Sequence, residues 1–364
     1  MELSKIVITG GPCAGKTTAM SWIQNAFVAK GYTVLFIGET ATEFIRGGVA
    51  PWTCGTNLDY QKVQTRLQRE KEKLFERAAR TMNAEKILIV CDRGCLDNKA
   101  YMTPEEFAEV LSDIHTNEVE LRDSYDAVFH LVSAAKGAEE FYTTANNAAR
   151  TETVEQARVL DDKLIAAWTG HPHLRVIDNA TDFEVKMHRL LAEISSFLGE
   201  SAPYLTQRKF LIKRPDAMLL DSLKSCTRVE ISQTYLRSPT GKEMRIRQRG
   251  SDGHYIYFQK MLRNPADPEK VNIERRLDKD EYLKLLMEAD PAMRQIRKTR
   301  YCLTYGNRYF ELDLYPFLEK EAVLKVPLRQ EDDEIRFPKW VEILEEITDD
   351  PRYTNYALAT RFNL

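Results

Sequence analysis

The sequence is poor in cysteine and has no long apolar run. Six cysteines are scattered over 364 residues, a pattern that fits reduced, packed thiols better than a disulfide framework. No segment approaches the roughly 18 consecutive apolar residues of a membrane span. The formal net charge is only −3, so we expect no whole-molecule attraction to nucleic acid. We therefore expect a cytoplasmic protein without a transmembrane segment, in which any anion site is local.

The length indicates two domains, since single cores rarely grow beyond about 250–300 residues. Residues 1–199 alternate short apolar runs with longer amphipathic stretches, which predicts a parallel α/β sheet covered by helices. The predicted strands are 6–10, 33–38, 86–92, 127–133 and 174–179, and the predicted helices are 17–30, 59–83, 153–168 and 182–198.

A second domain is predicted over residues 204–364. Gly199 and Pro203 mark the end of the last helix of the first domain. Beyond them, apolar residues recur with period two between turn residues, which is typical of antiparallel strands and favours a β-rich α+β barrel. Helical patterns interrupt these strands at 278–290 and 338–348.

A phosphate-binding loop follows the first predicted strand. The run GGPCAGKT at 10–17 satisfies the Walker A pattern and lies between a strand and a helix, the context that the motif requires. Lys16 would reach the β and γ phosphates of ATP or GTP, and Thr17 would bind Mg²⁺. The residues predicted to bind the nucleotide are Gly10, Gly11, Pro12, Cys13, Ala14, Gly15, Lys16, Thr17 and Thr18.

Charged residues follow the other strands at the same edge of the sheet. Asp92 and Arg93 end the third strand, where Asp92 would hold Mg²⁺ or cap the next loop. This arrangement resembles nucleoside and nucleotide kinases. That resemblance implies that Glu39 accepts a proton from a substrate hydroxyl and that Arg93 steadies phosphates. Arg150 lies where such proteins keep a lid, although ion pairs on a solvated helix would explain it equally well.

Basic residues alternate along the predicted strands of the second domain. Residues two apart share a face, so Arg245 and Arg247 can point together into a barrel and bind phosphate. Cross-strand ion pairs on a solvent face are the alternative. The charged candidates of this domain are Lys209, Arg245, Arg247, Lys260, Arg300, Glu230, Glu274, Glu311 and Asp313.

The second domain resembles the CYTH, or triphosphate tunnel, family over nearly all of 204–364. The resemblance is carried by RKFLIK, VEISQTYL, MRIRQRG, YFELDLY and DDPRYTNYALA. It implies an eight-stranded tunnel that binds triphosphates and often hydrolyses them with a divalent metal. The sequence departs from the family where Leu205 and Gln207 stand for metal-binding glutamates, and where Lys325 and Pro327 replace a later pair. The departures favour binding over hydrolysis.

The first domain resembles the NadR-like AAA-type P-loop family in TGGPCAGKTT, GETATEFI and CDRGCLDNKAYM. Its pairing with a CYTH domain resembles the insect TRP-channel translocation family, which implies binding of GTP and phosphatidic acid. We expect an Mg²⁺-dependent NTPase or small-molecule kinase. The alternatives are a nucleotide-gated binder of polyphosphate or lipid phosphate and a tunnel triphosphatase. No N-K-x-D motif decides between ATP and GTP.

Overall fold

The chain forms two compact units, Met1–Glu200 and Ser201–Leu364. The computed structural model describes residues 2–142, 153–200, 207–223, 225–238, 243–261, 273–327 and 334–361. Within these ranges no helix is both long enough and apolar enough to cross a membrane.

The N-terminal unit contains the predicted parallel sheet, with strand order β2-β3-β1-β4-β5. Its strands are β1 (Glu2–Gly10), β2 (Thr33–Ile37), β3 (Lys86–Asp92), β4 (Ala127–Leu131) and β5 (Leu174–Ile177). Its α-helices are α1 (Lys16–Val28), α2 (Thr40–Arg46), α3 (Asn57–Thr81), α4 (Pro104–Asp113), α5 (Glu118–Arg122), α6 (Val154–Trp168) and α7 (Phe183–Phe197). Because β1 lies at the centre, the loop that follows it is flanked by the ends of β3 and β4.

Helices cover both faces of this sheet. Ile6 and Ile8 point to one face, where α1 and α7 contribute Ile23 and Leu190 to the same buried cluster. Val7 points to the opposite face, which α6 covers. Each fully buried aliphatic side chain of this kind stabilises the fold by about 1.5–3 kcal/mol, so the two packed layers fix the sheet edge that carries the loop.

The C-terminal unit is an antiparallel sheet of nine strands, in the order β10-β9-β8-β7-β11-β12-β13-β6-β14. Its strands are β6 (Gln207–Lys213), β7 (Cys226–Tyr235), β8 (Met244–Ser251), β9 (His254–Met261), β10 (Ile273–Leu277), β11 (Ile296–Tyr305), β12 (Arg308–Leu314), β13 (Glu321–Pro327) and β14 (Ile343–Glu346). Its helices are α8 (Ala217–Asp221), α9 (Lys279–Leu286) and α10 (Asn355–Arg361). A parallel α/β domain followed by a β-rich α+β domain confirms the predicted fold class.

The helix predicted at 338–348 is wrong, because this segment contains the edge strand β14. Its residues are all exposed and pair antiparallel with β6. The spacing of Ile343, Leu344 and Ile347 suits an amphipathic helix, but only Ile347 is buried. Backbone pairing with the free edge of β6 overrides the local helical pattern.

The two faces of the nine-stranded sheet differ in chemistry. Phe210, Phe310 and Leu324 belong to an apolar cluster on one face. On the opposite face, Arg300 lies directly across from Asp313, and Glu311 across from Lys325. At one end of this charged face, α10 packs Leu358 against an apolar layer that includes Leu211 and Val323.

Candidate functional site

The loop between β1 and α1 depends on two glycines. Gly10 has φ 150°, and a Cβ there would lie 2.2 Å from the carbonyl oxygen of Leu131. Gly15 has φ 93° and precedes the first residue of α1, with the Phe183 ring against it. Both positions require a residue without a side chain. The backbone can therefore curl tightly between β4 and α7.

The amino end of α1 has no side-chain cap. Gly15 occupies the cap position, which has no side-chain cap hydrogen bond among the described residues. Several other helices have a side-chain cap, as at Thr153, whose hydroxyl accepts from Gln156 N–H before α6. Uncapped N–H groups at a helix amino end, with the helix dipole behind them, bind anions. The N-terminus of α1 is therefore ready for a phosphate.

The Lys16 side chain folds back over the loop. Its Nζ lies 3.5 Å from the carbonyl oxygen of Gly10. Burial and the Arg93 charge lower the pKa of Lys16, while Asp92 and Glu39 raise it. A partly buried ammonium with such a distant acceptor is suited to bind an added anion.

Asp161 of α6 holds the loop in place through hydrogen bonds. Its Oδ1 accepts hydrogen bonds from the backbone N–H of Gly11 at 2.9 Å and of Ser133 at 3.1 Å. His130 Nε2 lies 3.1 Å from the same oxygen, and Lys136 Nζ lies 2.9 Å from Oδ2. Burial acts to raise the pKa of Asp161, but the charges of His130 and Lys136 outweigh it and hold that pKa well below its usual range. An ionised carboxylate thus fixes the loop.

Lys186 of α7 holds the loop from its other side. Its Nζ donates to the carbonyl oxygens of Ala14 at 3.1 Å and Val132 at 2.8 Å, and to Asn179 Oδ1 at 2.7 Å. The side chain is only 3% exposed, so these three acceptors are needed to satisfy it. Neither Asp161 nor Lys186 was among the residues predicted from sequence.

Glu39 and Arg93, both predicted site residues, form an ion pair at the carboxyl edge of the sheet. Arg93 Nε donates to Glu39 Oε1 at 2.5 Å, and Thr42 Oγ1 donates to Glu39 Oε2 at 2.6 Å. Burial acts to raise the pKa of Glu39, but Arg93 and Lys16 outweigh it and hold the pKa at about 2. Glu39 is therefore ionised and both of its oxygens have donors.

Asp92 and Arg93 also have buried polar atoms without hydrogen-bond partners in the described structure. These are Asp92 Oδ1 and Arg93 Nη1. Burial raises the pKa of Asp92, although the Lys16 charge opposes the shift. Buried polar atoms are nearly always satisfied in folded proteins, so two unsatisfied atoms beside the loop indicate a place for a ligand or an ion.

Asp97 is a further member of this group that the sequence did not single out. It is 1% exposed, accepts from Gly94 N–H at 2.8 Å and from the Thr9 hydroxyl, and lies 3.6 Å from Arg93 Nη1. Its position three residues after Gly94, in a 3-10 turn at Cys95–Tyr101, holds the chain that presents Arg93. We call Lys16, Glu39, Asp92, Arg93 and Asp97 the loop-edge cluster.

The predicted lid residue Arg150 lies outside the described residues. Its neighbour Arg158 is described, and it is bound by local contacts. Its Nη2 lies 2.7 Å from Glu139, its Nη1 lies 3.1 Å from Glu155, and its Nε donates to the Ala135 carbonyl oxygen at 2.6 Å. Two of these contacts are ion pairs and the third is a hydrogen bond to the backbone, all on a partly exposed helix.

This loop and its flanking strands lie within the segment that a family model recognises. The model described as AAA domain matches residues 5–186, half of the chain. The chain belongs to the AAA domain family. Nucleotide binding is the function that such a P-loop domain suggests, and the loop of this AAA domain has the geometry for it. The match ends at Lys186, so the C-terminal unit lies outside the AAA domain.

The C-terminal unit contains a second group of charged side chains, which share one sheet face by strand register. Lys260 pairs with Arg245 on one side and Glu274 on the other. Lys325 pairs with Glu311 on one side and Lys209 on the other. We call these buried and half-buried residues the ionic face: Lys209, Glu243, Arg245, Arg247, Arg249, Lys260, Glu274, Lys298, Arg300, Glu311, Asp313 and Lys325.

Asp313 lies at the centre of the ionic face. Arg300 donates to it through Nε at 2.7 Å and Nη2 at 2.9 Å, and Lys298 Nζ donates at 2.8 Å. Lys325 Nζ lies 2.9 Å from Asp313 Oδ2. Burial acts to raise the pKa of Asp313, but these cations hold it well below its usual range. Arg249, Lys298 and Lys325 were not among the predicted phosphate-binding residues.

Seven of the predicted tunnel residues besides Asp313 are on this face, whereas Glu230 is not. Its neighbour Val229 lies across from Arg300, so Glu230 points to the opposite face. There it accepts from Tyr255 Oη at 2.7 Å and lies 3.2 Å from Arg228. The alternation along β7 divides its residues between two faces. Which face carries Glu230 depends on the pairing with β11, which the sequence alone does not give.

Solved structures also match the chain. One titled as the inorganic triphosphatase NE1496 shares 28% identity and covers 44% of this chain and 96% of its own, with a TM-score of 0.32. Another, titled as the hypothetical protein NE1496, shares 29% identity, covers 43% and 97%, and has the same TM-score. At that TM-score the likeness does not assign an activity to the unit. No curated protein matches the chain significantly.

Proposed function

We propose that the AAA domain binds ATP or GTP with Mg²⁺ and transfers the terminal phosphoryl group to water or to a small acceptor. The chain would then be an NTPase or a small-molecule kinase. The observation that carries this proposal is the loop-edge cluster. Lys16 has only a distant carbonyl acceptor, and Asp92 Oδ1 and Arg93 Nη1 are buried beside it without hydrogen-bond partners among the described residues. A nucleotide and its metal would satisfy all three.

Mg²⁺ fits the residues present. Magnesium is usually held by one or two protein oxygens together with waters and substrate phosphates, so a complete protein cage is not required. Thr17 and Asp92 would hold it, and when bound it would neutralise charge on the β and γ phosphates. Thr17 is exposed in the first turn of α1. The unsatisfied Asp92 Oδ1 supplies the carboxylate oxygen.

In this proposal Glu39 positions Arg93 and is only a weak base. A general base works best with a pKa near the working pH, whereas the pKa of Glu39 is about 2. Its ion pair instead fixes the Arg93 guanidinium, while Nη1, which lies 3.6 Å from Asp97 Oδ1 and has no hydrogen-bond partner among the described residues, could donate to a phosphate oxygen. Such a fixed cation would stabilise the charge that develops on the transferring phosphoryl group.

The test is steady-state phosphate release from ATP and from GTP, with Mg²⁺ and with a chelator. The wild type should turn over at least one nucleotide, and Lys16→Ala should abolish turnover. Lys30→Ala is the matched control because Lys30 is exposed and contacts Ser195 at 2.7 Å. Absence of turnover with water or with any nucleoside acceptor would remove the enzyme proposal.

A second function is supported by the ionic face. We propose that it binds a phosphate-rich anion such as polyphosphate, an organic triphosphate or phosphatidic acid, because its basic side chains outnumber its acidic ones. Lys209 and Lys260 have no carboxylate within 4.0 Å among the described residues. Nucleotide binding at the AAA domain would then act as a switch for the anion, and hydrolysis of the anion is the less favoured alternative.

This second proposal is tested by titrating tripolyphosphate and phosphatidic acid vesicles separately. Both titrations use the wild type and the double variant Arg245→Ala/Arg247→Ala. Binding of one ligand should weaken in the double variant. Unchanged binding of both would rule out the ionic face as the site.

A further inference from the structure

The carboxylates of the ionic face are already neutralised by the side chains of the protein. Asp313 is 0% exposed and is contacted by the nitrogens of Lys298, Arg300 and Lys325 at 2.7–2.9 Å. Its two oxygens accept from Arg300 in a bidentate arrangement, and Oδ2 is shared with both lysines. Both oxygens of this carboxylate therefore already have a cationic donor.

Two other acids of the face are also paired. Glu311 Oε2 lies 2.6 Å from Arg300 Nη1, and Glu274 Oε2 lies 2.7 Å from Arg247 Nη2. Both side chains are largely buried, at 13% and 17% exposure. A carboxylate already paired with arginine offers a divalent cation fewer free lone pairs and less uncompensated negative charge.

The position of Lys325 bears directly on whether the ionic face can bind a divalent metal. Strand register places it between Glu311 of β12 and Lys209 of β6, and its ammonium reaches Asp313 at 2.9 Å. A positive charge therefore already lies against Asp313 and on the strand position across from Glu311, the two carboxylates that would be the natural ligands of a metal ion. The residues present do not fit a divalent metal.

Other cations of the face remain available. Lys209 and Lys260 lie on either side of the group around Asp313 and have no carboxylate partner among the described residues. Arg245 has a longer ion pair, with its Nη1 3.4 Å from Glu243 Oε1. Burial lowers the pKa of both lysines and of Arg247. Partly buried cations of this kind gain most from an anion that replaces their lost hydration.

We infer that the ionic face binds its phosphate-rich anion without a divalent metal ion, and that the Lys325 ammonium supplies positive charge where a metal would otherwise lie. This inference rests on the second proposed function. It assigns the chemistry of recognition to lysine and arginine alone, with Asp313 and Glu311 orienting them. Arg300 pairs with both carboxylates and Lys325 pairs with Asp313, so these two cations are held in place by the acids and would contact the anion.

The experiment is calorimetric titration of tripolyphosphate into the full chain carrying Lys16→Ala, which removes the phosphate loop as a competing site. Titrations are made in a chelator and in excess Mg²⁺. The inference predicts binding in the chelator at least as tight as in Mg²⁺. It also predicts that Lys325→Met weakens metal-free binding by roughly tenfold or more, equivalent to about 1.4 kcal/mol.

A charge-reversal variant sharpens the test. Lys325→Glu places a third carboxylate beside Asp313 and Glu311, so metal-free binding should fall further and Mg²⁺ should restore part of it. The matched control is Lys320→Glu, because Lys320 is exposed just before β13 and its side chain is outside the ionic face. This control should bind as the parent does. Thermal unfolding of each variant checks that it is folded.

The outcomes separate the inference from the function on which it rests. Binding that requires Mg²⁺ in the Lys16→Ala parent would overturn the metal-free site and leave the anion-binding function intact. Binding in neither condition would overturn both. Metal-free binding that Lys325→Met and Lys325→Glu leave unchanged would remove Lys325 from the site.

Discussion

The backbone N–H of Gly11 donates a 2.9 Å hydrogen bond to Asp161 Oδ1, which ties the phosphate loop to α6 across 150 residues of sequence. The same oxygen accepts from Ser133 N–H, so one buried carboxylate fixes the segments that follow two adjacent strands, β1 and β4. Loop geometry, and with it any nucleotide affinity, depends on this carboxylate being present and ionised.

The first prediction concerns removal of that carboxylate. Asp161→Ala should lower the free energy of unfolding of the AAA domain by about 3–5 kcal/mol, because Lys136 and two backbone N–H groups lose a buried acceptor. Urea unfolding of the full chain, followed by a probe in the N-terminal unit, measures this. Asp162→Ala is the control, since Asp162 is 68% exposed and forms an ion pair with the same Lys136. Equal effects of the two variants would contradict the anchoring role.

The role of Asp161 was present in the sequence as a weak signal. Ala157, Leu164 and Trp168 form the buried face of α6, and Asp161 is spaced four and three residues from the first two. A lone carboxylate on an apolar helix face predicts a buried partner. The identity of that partner could not be predicted, because Gly11 and Ser133 reach it only through the order of the strands.

The second prediction is a pH dependence from Glu39. Its pKa of about 2 lies below its ordinary value of 4.5, so ionisation of Glu39 contributes stability that is complete above pH 4.5 and is lost as the pH falls toward 2. The thermal midpoint of the wild type should exceed that of Glu39→Gln near neutral pH, and the difference should shrink at about pH 3. A constant difference over this window would show that the ion pair with Arg93 does not set the pKa.

The third prediction separates metal binding from nucleotide binding. Asp92→Asn keeps the shape of the side chain and removes its charge, so the Mg²⁺ concentration that supports turnover should rise roughly tenfold or more. Affinity for the nucleotide in a chelator should change little. Asp280→Asn, the same substitution at an exposed site in α9, is the control. An unchanged Mg²⁺ requirement would exclude Asp92 as a ligand.

The fourth prediction tests the fixed guanidinium of Arg93. Arg93→Lys keeps a positive charge but cannot contact Glu39 and Asp97 with a planar fork. The turnover number should fall by about 10²-fold or more, whereas the nucleotide dissociation constant should change only a few-fold. Arg46→Lys on the exposed end of α2 should have no effect. A loss confined to nucleotide affinity would place Arg93 in ground-state binding instead.

The sequence predicted that Arg245 and Arg247 share one face of a strand. Residues two apart on a strand lie on the same face whatever the pairing register is. Glu230 was placed on the wrong face because register depends on pairing with β8 and β11. The sequence identified Lys325 only as a departure from a metal-binding glutamate, and its contact with Asp313 could not be predicted for the same reason. Only the pairing of β13 with β12 brings it to the acids of the neighbouring strand.

The most direct test of the central claim is calorimetric titration of ATP and GTP, each with Mg²⁺, into the wild type, Lys16→Ala and Lys30→Ala. The wild type and Lys30→Ala should bind at least one nucleotide equally well. Lys16→Ala should bind it at least about a hundredfold more weakly, a loss of about 2.8 kcal/mol. Equal affinity of all three proteins, or binding of neither nucleotide by the wild type, would contradict it.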